Sequence, residues 1–151
     1  MPAKPFLFAA VLMLGACAPA QPEAPVSELD IRLPAVAGNP GVAYFTLSGG
    51  SDGRTLVSVS SPDAARAEMH DMTMKNGMMS MAQIKGGLLI PAKSEVRFTP
   101  GGKHVMLFGM KPSLKKGAPV TLSFTFANGE TITLSTPAGA PGGGGMHHHS
   151  E

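Results

Sequence analysis

Between Met69 and Met81 the chain reads "MHDMTMKNGMMSM", six methionines and one histidine in thirteen residues. A thioether sulfur is soft, uncharged and polarizable, and an imidazole nitrogen is a borderline donor. Together they suit soft metal ions rather than hard, oxygen-seeking cations. Methionine is also flexible filler for apolar cores, so residue type settles nothing until spacing is considered. Lys75-Asn76-Gly77-Met78 has the pattern of a two-residue hairpin turn, because Asn and Gly tolerate the positive φ needed at its tip. That register sets Met74 opposite Met79 and Met72 opposite Met81. Alternate residues of a strand share a face. His70, Met72 and Met74 therefore join Met79 and Met81 on one side of a ribbon, with His70 and Met81 as diagonal neighbours.

A second pair lies in "GGKHVMLFGM", where His104 and Met106 are two residues apart on an expected strand and so point the same way. His70, Met81, His104 and Met106 can thus converge from separate strands. Among biological metals such a set favours Cu(I); zinc more often takes cysteine, histidine and carboxylate. A blue-copper electron-transfer site needs a thiolate, and the only cysteine, Cys17, lies far from this region. Met72, Met74 and Met79 are balanced between core packing and service as auxiliary sulfur ligands, while Met69, Met78 and Met110 are expected to pack or to shield.

The elements that must position these residues read as strands. "LDIRLP", "GVAYFTLS", "RTLVSVS", "ARAEMH", "SEVRFT", "KHVMLFG", "VTLSFTF" and "TITLS" are short apolar runs, several alternating with period two. The 19 glycines and 14 prolines fall mostly between them. "TLSFTFANGETITLS" is a hairpin with Asn128-Gly129 in its turn. No stretch carries a helical stripe, so an antiparallel all-β sandwich or barrel is expected.

The ends have a different character. "MPAKPFLFAAVLMLGAC" holds an apolar run from Pro5 to Leu14, short for a membrane span and right for a signal-peptide core. Leu14-Gly15-Ala16-Cys17 resembles a bacterial lipobox, which makes residues 1–16 a lipoprotein signal peptide and Cys17 a lipidated mature N-terminus. Residues 17–27 then form a Pro/Ala-rich tether, 28–137 one β domain, and 138–151 a Gly-rich tail. That tail ends in Met146, His147, His148 and His149, a cluster suited to Cu(II). The net charge of +2 is too small to suggest nucleic acid as a partner. Aromatic residues are too few for base stacking.

The residues around these ligands resemble the periplasmic PCu(A)C copper chaperones (the DUF461 family). His70, ten intervening residues, Met81, and then His104-Val105-Met106 follow that family's signature. "AEMHDM", "NGMMSM" and "IPAKSEVRFTPGGKHVMLFGMK" are similar to its surrounding sequence. The likeness runs from about Val42 to Leu134. The interval from Met81 to His104 is one residue longer than the family pattern, and "KGGLLIP" is expected to hold the extra residue in a loop. The resemblance implies a cupredoxin-like Greek-key fold with Cu(I) at His70, Met81, His104 and Met106. It further implies delivery of copper toward cytochrome c oxidase, at its Cu(A) site. With the lipobox, the chain is expected to be a monomer held at the membrane by its lipid, with that oxidase domain or another copper chaperone as acceptor.

Two rival readings stay open at this point: a copper sequestration protein without a dedicated acceptor, and a structural immunoglobulin-like lipoprotein whose methionines only pack. Enzymatic function is not expected. No carboxylate pair or Ser-His-Asp arrangement supports hydrolysis. Neither processing before Cys17 nor the alternative, ordinary cleavage after Ala18 or Ala20, leaves the N-terminal histidine that a histidine-brace oxygenase needs.

Overall fold

A computed structural model of the chain describes residues 24–141. They form ten strands and no helix: β1 (Val26–Arg32), β2 (Gly41–Ser48), β3 (Arg54–Ser60), β4 (Ala64–Lys75), β5 (Met78–Gln83), β6 (Leu88–Ile90), β7 (Glu95–Phe98), β8 (His104–Met110), β9 (Pro119–Phe126) and β10 (Thr131–Pro137). One sheet has the order β1-β2-β8-β4-β5, with β7 also paired to β2. The other runs β10-β9-β3-β6. All of these pairings are antiparallel. The expected all-β fold is present as two sheets face to face.

Alternation explains which side of each strand is covered. In β9, Val120, Leu122, Phe124 and Phe126 are buried and the residues between them are not. In β8, Val105 and Leu107 turn inward, so His104 and Met106 turn outward. An aromatic cluster closes the sandwich. The Phe45 and Phe98 rings of the first sheet stack at 4.3 Å, and Phe124 of the second sheet meets Phe45 edge-on at 4.9 Å.

β6 was not anticipated from sequence. Three apolar residues show no period, and only pairing with β3 makes them a strand. Lys85-Gly86-Gly87 does form a loop ahead of it, with both glycines at positive φ. Packing also continues past the expected domain limits: Val26 and Ala138 are buried, and Gly139 bridges to Arg32.

The site depends on one mismatch in strand length. β4 has twelve residues; its first part, through His70, pairs with β8, and its last part, from His70 on, pairs with β5. His70 is thus the junction, with His104 on one side and Gln83 on the other. Beyond it, β4 and β5 continue as a two-stranded ribbon turning at Asn76 (φ 50°) and Gly77 (φ 75°). Both signs match the expected turn. The register is also the expected one: Met72 faces Met81 and Met74 faces Met79.

Candidate metal centre

The β4–β8 pairing sets His70 directly opposite His104, with ring centroids 5.9 Å apart and planes 18° from parallel. Each ring has one nitrogen committed. His104 Nδ1 donates to the Gly102 carbonyl at 2.9 Å, which leaves the Nε2 lone pair for other use. His70 Nε2 donates to a Glu68 carboxylate oxygen at 3.1 Å, and its Nδ1 is buried without a hydrogen-bond partner. A buried polar atom with no partner carries a desolvation cost that a metal ion would relieve. Fixing the far nitrogen of each imidazole is how proteins orient histidine ligands. The two rings are therefore set out as a pair of nitrogen donors.

Glu68 is held in turn. Arg66 Nε lies 2.6 Å from its other oxygen, and the Arg66 guanidinium sits 4.4 Å over the Phe108 ring. Glu68, two residues before His70 on the same strand face, escaped the sequence reading. Its i−2 spacing was the available signal. The Gly102 carbonyl gave no signal at all, since a backbone acceptor has no residue type to announce it. That carbonyl also accepts the Met72 amide at 3.4 Å, tying the ribbon's base to the turn before His104.

The thioethers surround this pair on the outer face. Met106 follows His104 by two residues and sits opposite Glu68. Met81 sits opposite Met72, one step along the ribbon from His70. Of the four residues expected to converge, the structure opposes His70 and His104 and puts Met106 and Met81 on the same face, one rung to either side of His70 along β4. Met74, Met79 and Met81 are exposed at 67%, 54% and 50%, so they do not serve as core. Met69 is buried beside Val105, as expected for packing. Met110 packs partly against the core. Met78 is the exception: it is 73% exposed and pairs with Lys75, on the ribbon face opposite the histidines. Cys17, Met146, His147, His148 and His149 lie outside the described residues.

Among the described residues no three His, Cys, Asp or Glu side chains come together as a metal-binding group. An ion held between His70 and His104 would complete its shell from sulfur or from solvent. Two nitrogens with thioethers at hand favour a soft monovalent ion.

Comparison with known proteins bears on the same region. A family model described as "Putative lipoprotein LpqE-like" matches residues 25–138. "Putative lipoprotein Lxx21020" of Leifsonia xyli is 34% identical over 88 residues, which cover 58% of this chain and 53% of that protein. "Uncharacterized protein RP573" of Rickettsia prowazekii is 31% identical over 84 residues, covering 55% and 46%. The chain thus spans about half the length of each relative. Among solved structures, the copper-bound PCuAC domain from PmoF2 superposes with a TM-score of 0.63 at 19% identity, covering 77% of this chain and 92% of that one. That likeness shows the fold, a cupredoxin-like β-sandwich. The apo-DR1885 solution structure from Deinococcus radiodurans is 26% identical with a TM-score of 0.56, covering 93% and 96%. CuI-DR1885 from the same organism is 28% identical with a TM-score of 0.55, covering 80% of both chains.

Proposed function

Because the chain belongs to the LpqE-like family of PCuAC domains, we propose that it is an extracytoplasmic copper chaperone whose core site holds Cu(I) through His70, His104, Met106 and Met81. The observation that carries this reading is the opposed histidine pair, each ring with one nitrogen fixed and one lone pair left over, on a methionine-lined face. The 28% likeness to a protein solved with Cu(I) supports the choice of ion. A site with two neutral thioethers, one of them half exposed, binds less tenaciously than a thiolate cage and can be approached by an acceptor. Those properties suit delivery better than storage. The acceptor is the copper domain of cytochrome c oxidase, at its Cu(A) site, or a further copper chaperone. Lipidation at Cys17 holds the domain at the membrane surface, on the periplasmic side, where such an acceptor resides. The role is binding and transfer, with no catalysis.

The tail adds a second donor set, for Cu(II). Pro141 and Met110 border one cleft at the far end of β8. From Met110 back to His104 is roughly 20 Å along the strand. The six residues from Pro141 to His147 extend to at most about 21 Å. Fully extended, the tail just spans that length, and copper captured there as Cu(II) would be passed to the core site as Cu(I) once an external one-electron donor has reduced it.

The test is a Cu(I) competition titration of the full chain against its His70→Ala/His104→Ala variant, repeated without residues 142–151. A tight first equivalent that disappears in the double variant and survives tail removal supports the core site. Binding indifferent to both histidines sinks it, and Cu(II) binding unchanged by removing the tail sinks the tail's part.

A further inference from the structure

The exposed ribbon carries more sulfur than the histidine site uses. On its histidine-side face, Met74 opposes Met79 at the tip and Met72 opposes Met81 one rung lower, with His70 on the next rung. Directly opposed side chains have Cβ atoms about 4.5–5.5 Å apart, and diagonal ones remain within reach of long side chains. Met72 is diagonal to Met79 and shares a strand with Met74. Three flexible thioethers, each with three rotatable bonds, can therefore close on one point without borrowing Met81. Accessibility is graded along the same line: Met74 is 67% exposed, Met79 is 54%, Met72 is half-buried, and His70 is 9%. Single exposed apolar side chains are common, but exposed methionines side by side make a patch of the kind that marks a binding surface. Among the described residues, exposed methionine is confined to this ribbon.

We propose that Met72, Met74 and Met79 form a second, weaker site for a soft monovalent cation, Cu(I) in the first instance, that loads the histidine site. Three neutral sulfurs match the softness of Cu(I) and offer nothing to hard ions. Transfer is an exchange of ligands in which the ion stays monovalent and no proton or electron moves. Met81 and Met72 occupy the shared rung, so sulfur donors from the incoming site adjoin those of the receiving one, at a rung spacing of roughly 7 Å. Binding at the ribbon is independent of the histidine site; only its loading role rests on the proposed chaperone function.

Met78 supplies an internal control, equally exposed but on the opposite face. Leucine supplies the chemical one, being apolar and of similar volume but without sulfur. The full chain, with methionine methyl groups carbon-13 labelled, is titrated with Cu(I) or with redox-inert Ag(I) and followed by NMR. The expected course is a first equivalent that moves the Met106 and Met81 methyls and a second that moves those of Met72, Met74 and Met79. Met72→Leu/Met74→Leu/Met79→Leu should weaken the second step at least about tenfold and leave the first in place; Met78→Leu should change neither. In His70→Ala/His104→Ala the first step should vanish while the ribbon methyls still respond, so failure of the core site and failure of the ribbon site are read separately. A second equivalent that moves only Met146, ribbon methyls silent through two equivalents, or a triple variant that binds as the parent does would each overturn the proposal.

Discussion

At the scale of single residues, the two histidines differ in what fixes them. His104 relies on a backbone carbonyl, which no side-chain substitution removes, whereas His70 relies on Glu68. Glu68 touches no proposed ligand atom of the ion itself and acts as a positioning residue: its carboxylate holds the proton on His70 Nε2 and so leaves Nδ1 as the lone-pair nitrogen. Its own place is set by Arg66, over Phe108. Outer partners of this kind are typically worth about 10–100-fold in metal affinity. Glu68→Ala should therefore weaken the first Cu(I) equivalent by about tenfold, and Glu68→Gln, whose amide oxygen can still accept, should recover most of the loss. Nitrogen-15 spectra of the imidazoles in the metal-free protein should show His70 losing its single tautomer in the alanine variant and keeping it in the glutamine one. An alanine variant with unchanged affinity and an unchanged tautomer would reduce Glu68 to a surface charge.

At the scale of elements, the ribbon is the part the sequence made most legible. Asn76-Gly77 named the turn, the turn set the register, and the register set which methionines face each other, all from contacts no more than six residues from the tip. The same turn is where the element is most easily broken. At φ 75°, Gly77 stands in a conformation that L residues rarely adopt, although no neighbouring atom lies where a Cβ would be. Gly77→Val should then cost about 1–2 kcal/mol through backbone strain alone, expressed as local opening of the ribbon and not as global unfolding. Amide hydrogen exchange should accelerate from Met72 to Met81 while the β9 amides stay protected; acceleration spread evenly over both sheets would mean that the ribbon is not a separate opening unit. What the sequence could not yield was the neighbour of β4. Period two says which face His70 occupies, yet nothing local says that β8 lies alongside and sets His104 directly opposite. That contact spans thirty-four positions and is decided by how two sheets share a core. The exposure of Met78 was hidden for a related reason, because nothing local says that the ribbon runs on past the end of β8.

For the whole molecule, the question is how the sheet bearing the histidines is fastened to the sheet behind it. The apolar contribution is the interior centred on Phe45, Phe98 and Phe124. The polar one is a clasp at Asp63, in the connection from β3 to β4. One Asp63 carboxylate oxygen accepts the Thr121 amide of β9 at 3.0 Å, and the other accepts Lys111 Nζ, just past β8, at 3.0 Å. Its backbone carbonyl accepts the Lys111 amide, and Ser61 Oγ donates to the Thr121 carbonyl at 2.6 Å. The Thr121 amide, and after it the Lys111 ammonium, hold the Asp63 carboxyl below its usual range, against the opposing pull of burial. The folded form therefore keeps this carboxylate ionised to lower pH than the unfolded chain, which protonates near the ordinary value of about 3.9. As pH falls below that value the unfolded chain binds the proton first, so the stabilisation is complete above about pH 5 and is lost as pH drops through the lowered folded value. Hydrogen bonds to a charged group, discounted because Lys111 is 55% exposed and screened by solvent, set its size at about 1 kcal/mol. Urea unfolding of the parent and of Asp63→Asn should show a gap of that order at pH 7, closing steadily toward pH 3. Other carboxylates contribute alike to both proteins and cancel in the difference. A gap of constant size across that range would assign the clasp to shape and neutral hydrogen bonding, and a gap widening toward acid would reverse the sign of the linkage. Since Asp63 sits at the root of β4, the same titration asks whether the strand that carries His70 is anchored by charge at its far end.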